Sequence, residues 1–353
     1  MDWPVTADDI TTAWLTEALA PRHPGVAVAT VEVLERHEVT NAHARLRLTY
    51  DNAAGAPETM FCKLPPNDSR RENIIATGMG QREARFYASL APSIDMRTPV
   101  AHVAVTEDDG LFAILLEDLV ASGCEVSDGT WGISPDGAAA ALEDLAQLHL
   151  RFEDPGRRAT EAPWVTVSRP TSSYGATMLR YGIENHRDRL TDSFVDIAEL
   201  YIEHHDELQG LWHEGPHTII HGDPHIGNLF VDDGRVGFLD WGIININTPM
   251  RDVSYFLTMG MGIEDRRKHE TDLLRHYLDL RNATSSQPIT FDEAWLAHRV
   301  HAAYNVPASC QVVMFPEGMS DRRRIFSDAF LDRAQASLDD LEARAALREV
   351  GGL

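Results

Sequence analysis

The spacing of apolar positions changes character about a third of the way along the chain. Residues 6–19 open on Thr6-Ala7-Asp8-Asp9, a capping-box pattern, and place Ile10, Trp14, Leu15 and Ala18 at helical spacing, which predicts one helix. Residues 21–25, from Pro21 to Gly25, end it. From 26 to 50 the period falls to two, through Val31 and Val33 and then Leu46, Leu48 and Tyr50, and this predicts strands. Residues 52–57 read as a turn, and 58–64 as a short strand with a single lysine in an apolar setting. The polar stretch 65–80 contains Pro65-Pro66 and reads as a mobile loop. A helix over about 81–90 and strands near 100–105 and 111–116 follow.

Beyond Glu117-Asp118 helical spacing dominates. Residues 134–152 put Ala139, Leu142, Leu145, Ala146 and His149 on one face. Long helical patterns fill 174–211 and 290–304, the second opened by the capping box Thr290-Phe291-Asp292-Glu293, and a charged amphipathic helix is expected over 327–350. The pattern therefore predicts a β-rich N-terminal portion, 1–117, and a mainly helical portion, 118–353, joined near 116–123, with no internal repeat.

Composition narrows the class. A length of 353 residues suggests two domains, and 43% apolar with 24% charged residues is ordinary for a globular protein. With 31 Lys and Arg against 55 Asp and Glu, the formal net charge is −24, which sets phosphate backbones and anionic lipid surfaces at a disadvantage as partners. Cys62, Cys124 and Cys310 are scattered and form no CxxC pair, which disfavours a disulfide framework or zinc-thiolate site and fits a reducing cytoplasm. Met1-Asp2-Trp3-Pro4 lacks the basic start of a signal peptide, and no apolar run approaches the roughly 20 residues of a membrane span.

The chemistry concentrates in one segment. Thr218-Ile219-Ile220 leads into His221-Gly222-Asp223-Pro224-His225-Ile226-Gly227-Asn228, and Val236 to Leu239 leads into Asp240-Trp241-Gly242. Asp232-Asp233-Gly234 reads as the turn of a hairpin that brings Asn228 and Asp240 together. An amide oxygen beside a carboxylate is a hard-oxygen set suited to Mg²⁺ on phosphate oxygens, and Asp223 can then accept a proton from a substrate hydroxyl.

His221-x-Asp223-x4-Asn228 followed by Asp240-Trp241-Gly242 resembles the catalytic and metal loops of the protein-kinase-like superfamily. The His-Gly-Asp-x-His-x-x-Asn form is similar to the aminoglycoside phosphotransferase/choline kinase branch, the phosphotransferase enzyme family. That resemblance implies an α+β bilobal protein-kinase-like fold, with a small β-sheet lobe and a larger helical lobe. It implies Asp223 as base, His225 near the transferring phosphate, and Asn228 and Asp240 as Mg²⁺ ligands. Lys63, on the third expected strand, would hold the phosphates of ATP or GTP, with Glu83 on the next helix as its partner; Glu72 is also available. Residues 112–119 resemble the hinge, so that Leu116, Glu117 and Asp118 would border the adenine, the two acids as linker residues. Asp252, after Arg251, resembles the family's structural aspartate that hydrogen-bonds the catalytic loop. Two departures stand out. The phosphate loop falls near 38–43 and has no glycine, leaving Thr40 and Asn41 as candidates. Trp241 stands where protein kinases have Phe, which argues against a regulatory flip of that triplet.

The same resemblance implies a small alcohol as acceptor, since no Ala-Pro-Glu ending follows Asp240, and gives the mostly helical stretch 123–218 a part in shaping its pocket. Trp295, His298 and Ala302, with Arg299 beside them, read first as a core stripe, and Arg322-Arg323-Arg324 as a solvated face. The acceptor class, from aminoglycosides through choline, sugars, hydroxy acids and hydroxyacyl thioesters to steroids, stays open, as do the choice of nucleotide and the oligomeric state. Two rival readings are a nucleotide-binding pseudokinase and a metallohydrolase built on His221, Asp223, His225 and Asp240.

Overall fold

The computed structural model describes residues 3–38, 40–167, 172–315 and 318–353. Met1 and Asp2, Val39 of the expected phosphate loop, and 168–171 of the expected acceptor segment lie outside them. The chain forms two compact units.

The first unit takes in Met1–Val126, Val231–Asp233 and Gly237–Ile244. The single helix expected over 6–19 is two elements. The Thr6–Asp9 capping box closes a 3-10 turn, Ala7–Asp9, and α1 (Thr12–Leu19) starts afresh where the Thr11 hydroxyl accepts the Trp14 N–H. Side chains that offer the backbone local partners split helices in this way. The strands β1 (Ala27–Glu38), β2 (Ala42–Asn52), β3 (Thr59–Leu64), β4 (Ala101–Thr106) and β5 (Phe112–Glu117) form one antiparallel sheet in the order β1-β2-β3-β5-β4. Leu46, Leu48, Met60, Cys62 and Leu115 line its core with Trp14, Leu15 and Leu19 of α1.

The stretch 65–80 is not simply a loop. It contains α2 (Arg71–Thr77), with Asp68 accepting the Arg70 N–H before it and Gly78, at φ 69°, ending it. No residue of α2 is buried, so no apolar period could announce it. Next comes α3 (Met79–Arg85), which begins two residues earlier than expected and continues through a π turn over Phe86–Leu90. Gly80 lets α3 approach the sheet: a Cβ there would stand 2.0 Å from the Phe112 ring. The short β6 (Glu125–Val126) closes this part of the chain.

The second unit takes in Ser127–Phe230, Gly234–Val236 and Asn245–Leu353. Its helices begin with α4 (Pro135–Arg151) and α5 (Pro155–Glu161). The pattern over 174–211 resolves into α6 (Ser172–Asn185), α7 (Asp192–Glu203) and α8 (His205–Leu211), with Thr191 capping α7. The strand β7 (Thr218–Ile220) leads into the segment His221–Asn228. The hairpin β8 (Leu229–Asp232) and β9 (Arg235–Phe238) turns through Asp233 and Gly234, both at positive φ, as a type I′ turn requires. β10 (Asn245–Asn247) pairs antiparallel with β7.

After β10 come α9 (Pro249–Gly260), α10 (Ile263–Asn282), α11 (Phe291–Ala302), α12 (Asn305–Ala308), α13 (Asp321–Asp340) and α14 (Ala343–Gly351). The helix expected over 327–350 is thus two, broken at Glu342, which sits at φ 48°. Every residue of α9 is buried, and this all-round burial fixes the two polar side chains in its first turn, Arg251 and Asp252. The Thr290–Glu293 capping box opens α11 as expected. His298 is buried on Ser254 and Glu270, Trp295 stacks on Phe291, and Arg322, Arg323 and Arg324 are exposed, so these are core and surface positions.

Candidate active site

In the first unit, β3 and α3 bring Lys63 and Glu83 together. Lys63 Nζ donates to both carboxylate oxygens, at 2.7 and 3.0 Å, and both side chains are buried. Glu72, on α2, is exposed. Asp240 Oδ1 lies 3.5 Å from the same Nζ. Burial alone would push the Lys63 ammonium down, but the Asp240 and Glu83 carboxylates outweigh it and hold it above its usual value. Burial raises Glu83 to about 7, against the pull of Lys63.

The Asp-Trp-Gly triplet is tied to α3. Trp241 is fully buried and stacks on Phe86 at 3.8 Å between ring centroids, with an interplanar angle of 8°. Arg82 Nε donates to the Gly242 carbonyl at 2.9 Å, and Met79 lies against Gly242. Asp240 itself holds φ 62°, a left-handed conformation that an aspartate adopts at a cost of order 1 kcal/mol. The surrounding contacts maintain it.

Near the expected hinge, Leu116 is buried in β5 opposite Phe61, and the Glu117 N–H donates to the Val100 carbonyl. The Glu117 carboxylate receives a bidentate pair from Arg97, and Asp118 is bound by Arg45 Nε at 2.6 Å. Both acids are engaged as structural partners. Thr40 is half-buried, and Asn41 is buried with its side-chain oxygen lacking a hydrogen-bond partner among the described residues.

In the second unit, the loop after β7 is held from below. The Asp252 carboxylate accepts the backbone N–H of His221 at 2.7 Å and of Gly222 at 2.8 Å, and it faces His149 Nε2 at 3.3 Å. Burial works to raise its pKa, but the His149 contact and these N–H bonds outweigh that and keep it below the usual carboxylate value. Gly222 turns the loop at φ 88°. Asn228 Nδ2 donates to the Asp223 carbonyl and to Asp223 Oδ2, each at 3.0 Å, which orients the carboxylate and turns the amide oxygen the other way. His225 Nε2 is 3.6 Å from Asp223 Oδ2, while its Nδ1 accepts the Gly227 N–H. The His225 ring packs edge-on against Tyr255 and Phe330.

Each by its own chemistry, the Asp240 carboxylate of the first unit and the Asn228 amide oxygen of the second are hard donors of the kind Mg²⁺ takes. The metallohydrolase reading fares differently. Among the described residues no group of three or more His, Cys, Asp and Glu side chains is placed to hold a metal, and Nδ1 of His221 and of His225 each accept a backbone N–H.

A sequence profile of the phosphotransferase enzyme family matches residues 40–289. The chain belongs to this family. It is a phosphotransferase acting on hydroxyl groups. Among solved structures it is similar to a candidate aminoglycoside phosphotransferase from Ralstonia eutropha JMP134, at 16% identity and a TM-score of 0.50, over 92% of this chain and 97% of that one. It is also similar to the choline kinase LicA from Streptococcus pneumoniae, at 14% identity and a TM-score of 0.50, over 93% and 97%. These likenesses identify the fold as the α+β protein-kinase-like one that the motifs imply. No curated protein matches the sequence.

Sequence reasoning left several residues that contact the candidate site residues unassigned. His149 was legible only as part of an apolar face, yet it bridges Asp252 and the Tyr277 hydroxyl. The Phe86–Trp241 stack and the Arg82–Gly242 bond join positions some 160 residues apart, and no local pattern marks them. Tyr255, which is buried, and Tyr304, which is partly buried, pack against one another and carry no motif at all. Among the described residues no helix is long and apolar enough to cross a membrane, and the three cysteines are free and buried.

Proposed function

We propose that this phosphotransferase moves the γ-phosphoryl group of ATP or GTP to a hydroxyl of a small metabolite or antibiotic. The observation that carries the reading is the buried Lys63–Glu83 pair with Asp240 beside it. A lysine kept protonated against burial, and oriented by a helix carboxylate, is the cation that nucleotide phosphates require. Glu83 acts on Lys63 and not on substrate. Leu116 and its neighbours border the base, and Thr40 and Asn41 border the phosphates.

Asp223 accepts the proton of the acceptor hydroxyl, its carboxylate aimed by the Asn228 amide and its loop fixed by Asp252. His225, whose Nδ1 accepts the Gly227 N–H, carries its hydrogen on Nε2 and donates it toward the transferred phosphoryl oxygens. Asn228 and Asp240 would hold Mg²⁺, which would supply neutralisation of charge on the phosphate oxygens. The transition state is loose, so positioning and charge neutralisation supply most of the acceleration. The charge balance and the free thiols accord with a cytoplasmic small-molecule enzyme that takes neither nucleic acid nor membrane as partner.

The test is thermal unfolding with Mg-ATP and Mg-GTP, on the wild type and on Asp240→Asn. Nucleotide at about 100 times its Kd should add about 2.7 kcal/mol, several degrees for a chain of this length. The increment should require Mg²⁺ and shrink in Asp240→Asn. No shift with either nucleotide would sink the reading.

A further inference from the structure

Among the described residues of the second unit, four arginines are at least nine-tenths buried: Arg251, Arg266, Arg281 and Arg333. Three have acceptors that account for their charge. Arg266 pairs with Glu270 and Asp340, Arg281 with Glu153 and the Gln287 carbonyl, and Arg333 with four backbone carbonyls of Gly129, Trp131, Met261 and Ala329. Arg251 has none. Only 7% of it is exposed, its Nε lacks a hydrogen-bond partner, and it makes no ion pair among the described residues. Its side-chain partner is neutral: the guanidinium carbon lies 3.1 Å from the centroid of the Tyr304 ring and close to the Tyr304 hydroxyl. An isolated buried charge is costly, and a neutral aromatic face offsets only a small part of that.

The position of this cation relates it to the reaction. Arg251 adjoins Asp252, which holds the His221–Gly222 backbone. The Tyr304 ring meets Tyr255 at 5.7 Å between centroids, Tyr255 meets His225 at 6.0 Å, and His225 lies 3.6 Å from Asp223. An aromatic wall thus runs within one unit from the proposed base to the unpaired guanidinium.

We propose that Arg251 binds an oxyanion of the acceptor, so that the substrate is an alcohol that also carries an acidic group, a carboxylate in the first instance. This rests on the phosphotransferase reading of Asp223. A planar guanidinium laid on an aromatic face presents its fork to a planar carboxylate. The same charge repels a polycationic acceptor, and no carboxylate of the described residues neutralises it.

The experiment measures Tm with acetate, inorganic phosphate or chloride at matched ionic strength, and separately with Mg-ATP, for the wild type, Arg251→Met and Arg251→Lys. Acetate at about ten times its Kd should raise the wild-type Tm by a few degrees. Its affinity should fall about tenfold to a hundredfold in Arg251→Met and less in Arg251→Lys. A larger response to phosphate than to acetate, also lost in Arg251→Met, supports the oxyanion subsite with a phosphorylated alcohol as its occupant. Without anion, Arg251→Met should be at least as stable as the wild type, because it removes an uncompensated charge. A less stable or unfolded Arg251→Met would make the arginine structural and overturn the proposal. So would an anion response that is absent from the wild type or unchanged in Arg251→Met. Loss of the Mg-ATP shift in that variant, with the acetate shift kept, would assign Arg251 to the donor instead. Absence of the Mg-ATP shift from every protein would sink the phosphotransfer reading while the acetate arm still reports on the anion site.

Discussion

In the first unit, Lys63 and Glu83 lie 20 residues apart on a strand and a helix and compensate each other side chain to side chain. In the second, Asp252 is compensated chiefly by backbone, through the N–H groups of His221 and Gly222, and by His149. The difference sets how each region tolerates change. A side-chain pair can respond by titrating, and Glu83, raised to about 7, is poised to take a proton near neutrality. A carboxylate that accepts backbone N–H groups has no such latitude, because the N–H groups cannot follow it or leave.

The largest expected effect lies in the second region and is kinetic. Asp223→Asn should lower kcat by about 10²- to 10⁴-fold while nucleotide affinity stays near wild type; unchanged turnover would remove Asp223 from the role of base. Asp252→Ala should come next, as a loss of about 3–5 kcal/mol and roughly 5 °C in Tm, since it leaves two backbone donors and His149 without their acceptor. A loss as small as that of an exposed substitution would show that the backbone-held carboxylate is not the stiffer of the two devices.

The first region should yield more gently. Gly80→Ala pushes a methyl group toward the Phe112 ring and should cost about 1–3 kcal/mol. It should also weaken Mg-nucleotide binding by displacing α3 and with it Glu83, which titration calorimetry would read. Equal nucleotide affinity in that variant would separate α3 packing from the lysine pair.

The smallest effects are the pH slopes, and they carry opposite signs. Glu83 has a folded value near 7 and an ordinary unfolded one, so its contribution is complete below about 4.5 and is lost as pH rises through 7. His301, in the second unit, is pushed by burial from 6.5 to about 4. Its contribution is complete above 6.5 and is lost as pH falls toward 4. Denaturant titrations between pH 4 and 7 should therefore show Glu83→Gln gaining on the wild type as pH rises. His301→Gln should gain on it as pH falls, and slopes of the same sign would refute the contrast.

Much of this was legible in advance because it depends on local order. The third strand with its lysine, the Thr290–Glu293 cap and the Asp233–Gly234 turn all follow from residues close in sequence. The failures share a cause as well. α2 buries nothing, so a period-based reading sees only prolines and polar residues. The breaks at Ile10 and Glu342 use backbone conformations that no glycine or proline announces.

The fold family and the order of the chemical residues follow from spacing and residue type, which are properties of the chain. Which charges have partners depends on how the chain packs. Glu83, and not Glu72, meets Lys63 because α3 rather than α2 packs against the sheet through Gly80. Arg251, unlike Arg266, Arg281 and Arg333, meets an aromatic ring where they meet oxygen. A charge is paired or unpaired according to what long-range packing sets within about 4 Å of it, and no periodicity along the chain encodes that distance.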